Sequence, residues 1–308
     1  MISVVVPAYN EEKNVAELHK RLMEVFRNVK EKFEIIIVAN GSKDNTLAEL
    51  KKLSPIKIVS IAYNIGQTAG IDAGIHAASG DLIFTMDADL QNDPADISAM
   101  LNKMKEGNYD IVVGWRKERR DSFGRRFFSS FANKVTRTIA GLNIHDYGCA
   151  MRVFKKKYLE DVHLYGVMHV FIPVIMASRG AKVGEMVVHH HERKAGTTHY
   201  TFLHMVTDIA DLVTIKFLYT YAVRPMVFFG TLALTSLGIA FLAVLASVII
   251  KMQFAINLNQ TPLPVISALF IILGFLLFML GFIVELLIRI YYEARGVTPY
   301  KISEVIER

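Results

Sequence analysis

The chain has 308 residues, a formal charge of +6 and one cysteine, Cys149, a length that suits one large domain or two modest ones. A lone cysteine excludes an internal disulfide, and nothing in the composition calls for an oxidising compartment. The aromatic residues are not interleaved with the basic ones in an RNA-binding pattern, so the positive balance excludes nucleic acid and favours membrane surface and phosphorylated ligands.

The N-terminal segment Met1–Pro7 lacks a basic n-region and reads as a strand, so a secretory signal is not expected. Short apolar runs then alternate with helical periodicity. Strands are predicted at 2–6, 34–38, 56–60, 81–86, 110–114 and 182–188, and helices near 12–30, 44–52, 67–78, 94–106, 125–140 and 169–179. This alternation predicts an α/β fold, Rossmann-like, with a mostly parallel sheet covered on both faces. Ligands of such sheets sit at the carboxyl ends of strands, where the strand order reverses. Pro7 to Glu11 follow the first strand there, and Asn40 to Asp44 follow the second. Asp44 reads as the cap of a helix starting at Asn45, and Pro94 as a first-turn proline.

The run Asp81 to Gln91 carries the most information. An apolar strand ends in Asp87 and Asp89, one residue apart, followed by Gln91. In extended backbone, i and i+2 side chains point the same way. Two such carboxylates suit a hard divalent cation that completes its shell with phosphate oxygens. A basic set follows the fifth strand: Arg116, Lys117, Arg119, Arg120, Arg125 and Arg126, with Trp115, Asp121 and Ser129 among them. As a solvated loop it would be unremarkable. Beside a metal and a diphosphate, its guanidinium groups match phosphate oxygens. His189, His190 and His191 tempt a zinc reading, but only the first and last share a strand face, so packing or loop anchoring is the expectation.

Residues 201–224 interrupt an apolar pattern at three- and four-residue spacing with His204, Asp208, Asp211 and Lys216. The pattern suits an amphipathic juxtamembrane helix in the membrane interface, or a helix packed on the soluble domain. Two long apolar runs occupy 225–292, at about 225–250 and 264–289, and each exceeds the roughly 20 residues that cross a ~30 Å hydrocarbon core. The alternative is a pair of core helices in a soluble protein. Their connecting loop carries one basic residue, Lys251, whereas Arg224, Arg289, Arg295 and Lys301 lie at the opposite ends. The positive-inside rule therefore predicts a domain at 1–200, both termini and a tail at 293–308 in the cytoplasm, with spans that could support homo-oligomers in the lipid bilayer.

The runs Val4 to Glu11, Gly41 to Thr46, Asp87 to Gln91, Gly114 to Arg116 and His145 to Arg152 together resemble family-2 glycosyltransferases of GT-A fold. Arg193 to Tyr200, then Arg224-Pro225-Met226 and two spans, resemble the branch that uses polyprenyl phosphates, such as dolichyl-phosphate mannosyltransferases and bactoprenol glucosyltransferases. The resemblance covers nearly the whole chain. It implies transfer of a sugar from a nucleotide-sugar donor to a polyprenyl monophosphate (undecaprenyl or dolichyl), with magnesium or manganese as cofactor. It further implies that Pro7, Tyr9, Glu11, Val38, Asn40 and Ala88 line the nucleotide-sugar pocket, and that Asp87, Asp89 and Gln91 hold metal and diphosphate. Arg116, Arg125 and Ser129 would face the lipid phosphate. Arg193, Thr198 and His199 would close over the donor from a loop.

Three positions depart from the family pattern. Ala39-Asn40 stands where two aspartates are usual, and the amide brings a donor that an aspartate lacks. His199 replaces a common lysine, and Val170 a common arginine. A phosphate acceptor is anionic above a pKa of about 6, so the implied reaction needs no strong base and rests on positioning and leaving-group stabilisation. Asp146 would orient the acceptor or sugar, or cap a turn. A processive polysaccharide synthase would need a base, a Gln-x-x-Arg-Trp motif and many spans, and Trp115 lacks that motif. A non-catalytic membrane scaffold of the same fold is the remaining alternative, against which the intact Asp87, Asp89 and Gln91 argue.

Overall fold

The computed structural model describes residues 1–27, 29, 31–117, 137, 141–191, 217, 225–254 and 257–295. Two compact units result, Met1–Lys216 and Phe217–Arg308.

In the first unit, strands β1 (Ile2–Ala8), β2 (Phe33–Asn40), β3 (Lys57–Ile61), β4 (Leu82–Thr85), β5 (Ile111–Trp115), β6 (Arg152–Lys155) and β7 (Val183–Val187) form one sheet. Its order is β3-β2-β1-β4-β6-β5-β7. Helices α1 (Val15–Phe26), α2 (Thr46–Leu50), α3 (Gln67–Ala77), α4 (Asp96–Glu106) and α5 (Ile172–Ser178) connect the strands. β1 pairs in parallel with both β2 and β4, so the chain order reverses on either side of β1. That reversal opens a crevice at the carboxyl ends of β1 and β4.

β6 is absent from the sequence-based reading. It runs antiparallel to both β4 and β5 and separates them, with Arg152 opposite Thr85 and Val113. A four-residue strand holding a fully buried arginine gives neither an apolar run nor a readable alternation. Its antiparallel sense brings its start, and the loop before it, to the end of the sheet where β4 and β5 finish.

The core follows the apolar pattern. Val15, Leu18, Leu22 and Phe26 recur along α1 at three- and four-residue steps and are buried against Val4, Val6, Ile35 and Ile37 of the sheet. α3 lies unusually close to β1. A Cβ on Gly74 would come within 2.2 Å of Val5 Cγ1, and one on Gly70 within 2.9 Å of Pro7 Cβ. These two glycines let the helix start near the ends of β1 and β2. The caps differ in detail from expectation. α2 begins at Thr46, and Asp44 accepts the Thr46 N–H at 3.0 Å. Pro94 precedes α4 by two residues, while Asp93 Oδ1 accepts the Ala95 N–H at 3.0 Å.

The second unit holds α6 (Pro225–Phe254) and α7 (Leu263–Arg295), each long and apolar enough to cross a membrane. Ala233, Ser236, Ala240, Ala243 and Ser247 form a buried seam of small residues along α6. The seam lets the two backbones approach, as a Cβ on Gly274 would come within 2.8 Å of Leu237. Ser236 Oγ donates to Phe270 O across the pair at 2.7 Å. Small residues and an interhelical hydroxyl bond are the means by which helices associate in lipid, where apolar burial gives no drive.

Candidate active site

The crevice is built from four loops. The first two are stitched together by side chains at the ends of β1 and β2. Asn10 holds a left-handed backbone, φ 57°, its N–H donates to Ser42 Oγ, and its Oδ1 accepts the Lys43 N–H. The Glu11 N–H donates to Thr46 Oγ1 at 2.8 Å, and the Glu12 N–H to Asp44 Oδ2 at 3.2 Å. Asp44 is thereby held below the usual carboxylate range: burial opposes the shift, but hydrogen bonds from Thr46 and Glu12 outweigh it. Tyr9 stays exposed at the rim, Pro7 is half-buried, and Val38 is sealed in the sheet below.

Asn40 is the most informative residue of this half. It is 2% exposed, and its Nδ2 donates to Gly66 O at 2.8 Å and Asn64 Oδ1 at 3.3 Å. Two acceptors around one nitrogen fix the orientation of the amide. Its Oδ1 has no partner among the described residues. The donor that distinguishes Asn40 from an aspartate is therefore consumed inside the protein, and only an acceptor remains.

β4 delivers the carboxylates. Asp87 Oδ1 accepts from Gln67 Nε2 at the start of α3, at 2.6 Å, and the Asp87 N–H donates to Asn92 Oδ1. Asp89 is 7% exposed and its Oδ1 accepts the Gln91 N–H at 3.1 Å. Leu90, at φ 61°, takes the left-handed turn that allows this bond, and Ala88 is buried between the two aspartates. The strand leaving β7 is zipped to the same turn: His191 N–H donates to Gln91 O at 2.8 Å. His189 pairs with Asp96 and His191 with Asp93, so this histidine run ties the strand end to the start of α4. Asp87, Asp89 and Gln91 offer oxygen donors, whose chemistry would suit magnesium or manganese rather than a soft ion.

The fourth loop contains a pair that sequence reasoning missed. Arg116 and Asp146 meet fork to fork, with Nε–Oδ2 at 2.7 Å and Nη2–Oδ1 at 2.9 Å, and their side chains are 11% and 5% exposed. Burial alone would lower the Arg116 pKa, yet the hydrogen bond and charge of Asp146 raise it, and the ion pair stays charged. Burial pushes the neighbouring Cys149 thiol up to about 11, which leaves it inert. The loop is further fixed by Glu185 of β7, which accepts the His145 and Asp146 N–H groups, while His145 stacks on Trp115 at 4.2 Å. Asp146 thus holds the Arg116 guanidinium in place.

Beneath this loop Arg152 is 2% exposed and donates from Nη2 to Tyr147 O at 2.8 Å and from Nη1 to His169 O. Burial draws its pKa down to about 10. Burial and Arg152 together draw His169 down to about 3, so the ring is neutral, and Thr68 Oγ1 meets its Nδ1. Arg119, Arg120, Asp121, Arg125, Arg126, Ser129, Arg193, Thr198, His199 and the helix expected at 201–224 lie outside the described residues.

A mostly parallel sheet with acidic residues after β4, at the reversal of strand order, is the layout of a GT-A fold. The chain belongs to glycosyltransferase family 2: the glycosyl transferase family 2 profile matches residues 3–163. It is 34% identical to a dodecaprenyl-phosphate galacturonate synthase of Rhizobium johnstonii, over 99% of this chain and 93% of the relative. The fold is similar to glucosyl-3-phosphoglycerate synthase of Mycobacterium tuberculosis. The structure of that protein with Mn2+ and UDP-glucose gives a TM-score of 0.53 at 14% identity, covering 70% of this chain and 78% of that one. Its complex with Mg2+ and UDP gives 0.53 at 15% identity, with 70% and 79% covered.

Proposed function

We propose that this glycosyltransferase moves a sugar from a nucleoside-diphosphate sugar to a polyprenyl monophosphate at the cytoplasmic face of a membrane, with inversion. The observation that carries the reading is the near full-length similarity to a synthase of that kind, which extends through both candidate spans. The site residues support it. Asn40 keeps one unbonded acceptor and no spare donor at the end of β2, and a small shift of the atoms covering it would offer that oxygen to the imino N–H of a base such as uracil.

A phosphate oxygen of the acceptor attacks the anomeric carbon, and the bond from that carbon to the diphosphate breaks, its electron pair leaving on the diphosphate. The acceptor is ionised above a pKa of about 6, so no residue has to remove a proton. Asp87, Asp89 and Gln91 would hold a divalent ion, which would supply charge neutralisation for the leaving diphosphate. Gln67 and the Gln91 backbone hold the two carboxylates in place for that task. The Arg116–Asp146 pair is nearly neutral as a unit and fixes one guanidinium edge at the acceptor side, while Arg125 and Ser129 complete the lipid-phosphate contacts. Arg193, Thr198 and His199 close over the donor and exclude water.

The test is reconstitution. Purified full-length protein with UDP-galacturonate or UDP-glucose, a polyprenyl phosphate and Mg2+ or Mn2+ should yield the sugar-phosphate lipid and UDP. Release of UDP without a lipid product, across donors and metals, would overturn the acceptor assignment.

A further inference from the structure

α3 reaches the described crevice only with its first turn. Its other end carries a separate cluster. Asp72 and His76 are one turn apart on the helix, and His163 approaches from the segment that precedes the 3-10 turn at Met168–Phe171. Asp72 Oδ1 lies 3.5 Å from His76 Nδ1, and Asp72 Oδ2 lies 3.6 Å from His163 Nδ1. One ligand atom from each of the three residues falls within 4.8 Å of the other two. A tetrahedral ion with ligands at about 2.0–2.1 Å sets neighbouring ligand atoms roughly 3.3 Å apart. Each carboxylate–imidazole separation is within a few tenths of an ångström of that value, one through Oδ1 and the other through Oδ2, so an ion shared by all three residues requires the carboxylate and the rings to shift.

The imidazoles of His76 and His163 stack face to face, centroids 4.6 Å apart and planes 13° from parallel. A metal lies in the plane of each imidazole that binds it, so the exposed His163 ring must turn out of the stack to share an ion with His76. Asp72 is also oriented from outside the cluster, since the Leu164 N–H donates to its Oδ1 at 2.7 Å. Backbone support of a ligating carboxylate is how proteins aim a metal ligand. The cluster opens to solvent, with side-chain exposures of 20% for Asp72, 32% for His76 and 79% for His163, so an ion can enter and a water can complete its shell.

We propose that Asp72, His76 and His163 form a second metal site, selective for a borderline ion such as zinc. It differs in kind from the all-oxygen set at Asp87 and Asp89, because two imidazoles disfavour magnesium and manganese relative to zinc. A bound ion exchanges the hydrogen-bond contact between His76 Nδ1 and the Asp72 carbonyl for a stronger bond. It also clamps the 163–164 segment onto α3. That segment runs into Gly166, whose carbonyl accepts from Thr68 Oγ1, and into His169, so the clamp steadies the wall beneath the Arg116–Asp146 loop.

The experiment uses the full-length protein in detergent, purified through a tag without histidines and stripped with chelator. Zinc titration by calorimetry, with elemental analysis after desalting, should give one tight equivalent that excess Mg2+ does not displace, and a rise of several degrees in the unfolding midpoint. His163→Ala, at an exposed position that leaves the fold intact, should weaken zinc binding at least tenfold and abolish the rise. Asp72→Asn should do the same. The cluster at His189 and His191 is the internal control: H189A/H191A should bind zinc as the parent does. Absence of zinc binding, or binding lost in H189A/H191A and retained in H163A, would overturn the assignment.

Discussion

Replacing Asn40 with aspartate restores the residue usual in the family, yet the structure predicts damage. The amide nitrogen donates to Gly66 O at 2.8 Å and Asn64 Oδ1 at 3.3 Å. In Asn40→Asp an acceptor oxygen would face two acceptors at a position 2% exposed. Each buried polar group left without its partner costs about 1–3 kcal/mol, and an unpaired buried charge more. A loss of about 3 kcal/mol is therefore expected, shared between folding and nucleotide binding. Placed wholly on binding, that is roughly a 150-fold rise in Kd, at 1.4 kcal/mol per factor of ten. Calorimetric binding of UDP to the full-length variant and its parent, from pH 5 to 8, is the assay. The deficit should shrink toward low pH, because a protonated carboxyl can donate again to Gly66 or Asn64. Binding equal to or tighter than the parent at pH 8 would show instead that Asn64 and Gly66 reorganise freely and that the amide donor is dispensable.

Other outcomes follow from the same geometry. Asp89→Ala should abolish transfer while the unfolding midpoint stays near that of the parent, and full activity of this variant, or of the parent in excess chelator, would remove the metal assignment. Asp146→Asn strips the charge partner from a guanidinium that is almost wholly buried, so chemical denaturation should register a loss of about 3 kcal/mol. His169 is held near pKa 3 in the folded chain against about 6.5 unfolded. The unfolded state then binds the extra proton, so His169 contributes a stability loss that grows as pH falls from about 6.5 toward 3. His169→Gln should flatten that limb of the stability–pH curve; an unchanged limb would place its origin elsewhere.

The strand ends were legible because apolar runs stopping in polar residues signal the ligand-binding edge of a parallel sheet. Asp87, Asp89 and Asn40 could be placed there from local pattern alone. The Arg116–Asp146 pair could not, since the partners are 30 residues apart and each residue had a sufficient reading of its own as phosphate ligand or turn cap. β6 hid for a related reason: its alternation spans four residues and its inward member is Arg152, held by two carbonyls from outside the strand. Asn40 shows a third limit. Its chemistry can be read from the letter, but which half of the amide is already bonded depends on Gly66, which follows 26 positions later and is brought back beside β2 by the close packing of α3.

Mass spectrometry of the lipid extract, after full-length protein is incubated with nucleotide sugar, polyprenyl phosphate and Mn2+, reads the proposed metal-assisted transfer at its product. A polyprenyl phosphate heavier by one glycosyl residue is expected, formed by the parent and lost in Asp89→Ala or in chelator. A glycosylated lipid formed equally by Asp89→Ala, or a product extended by many sugars, would rule that mechanism out.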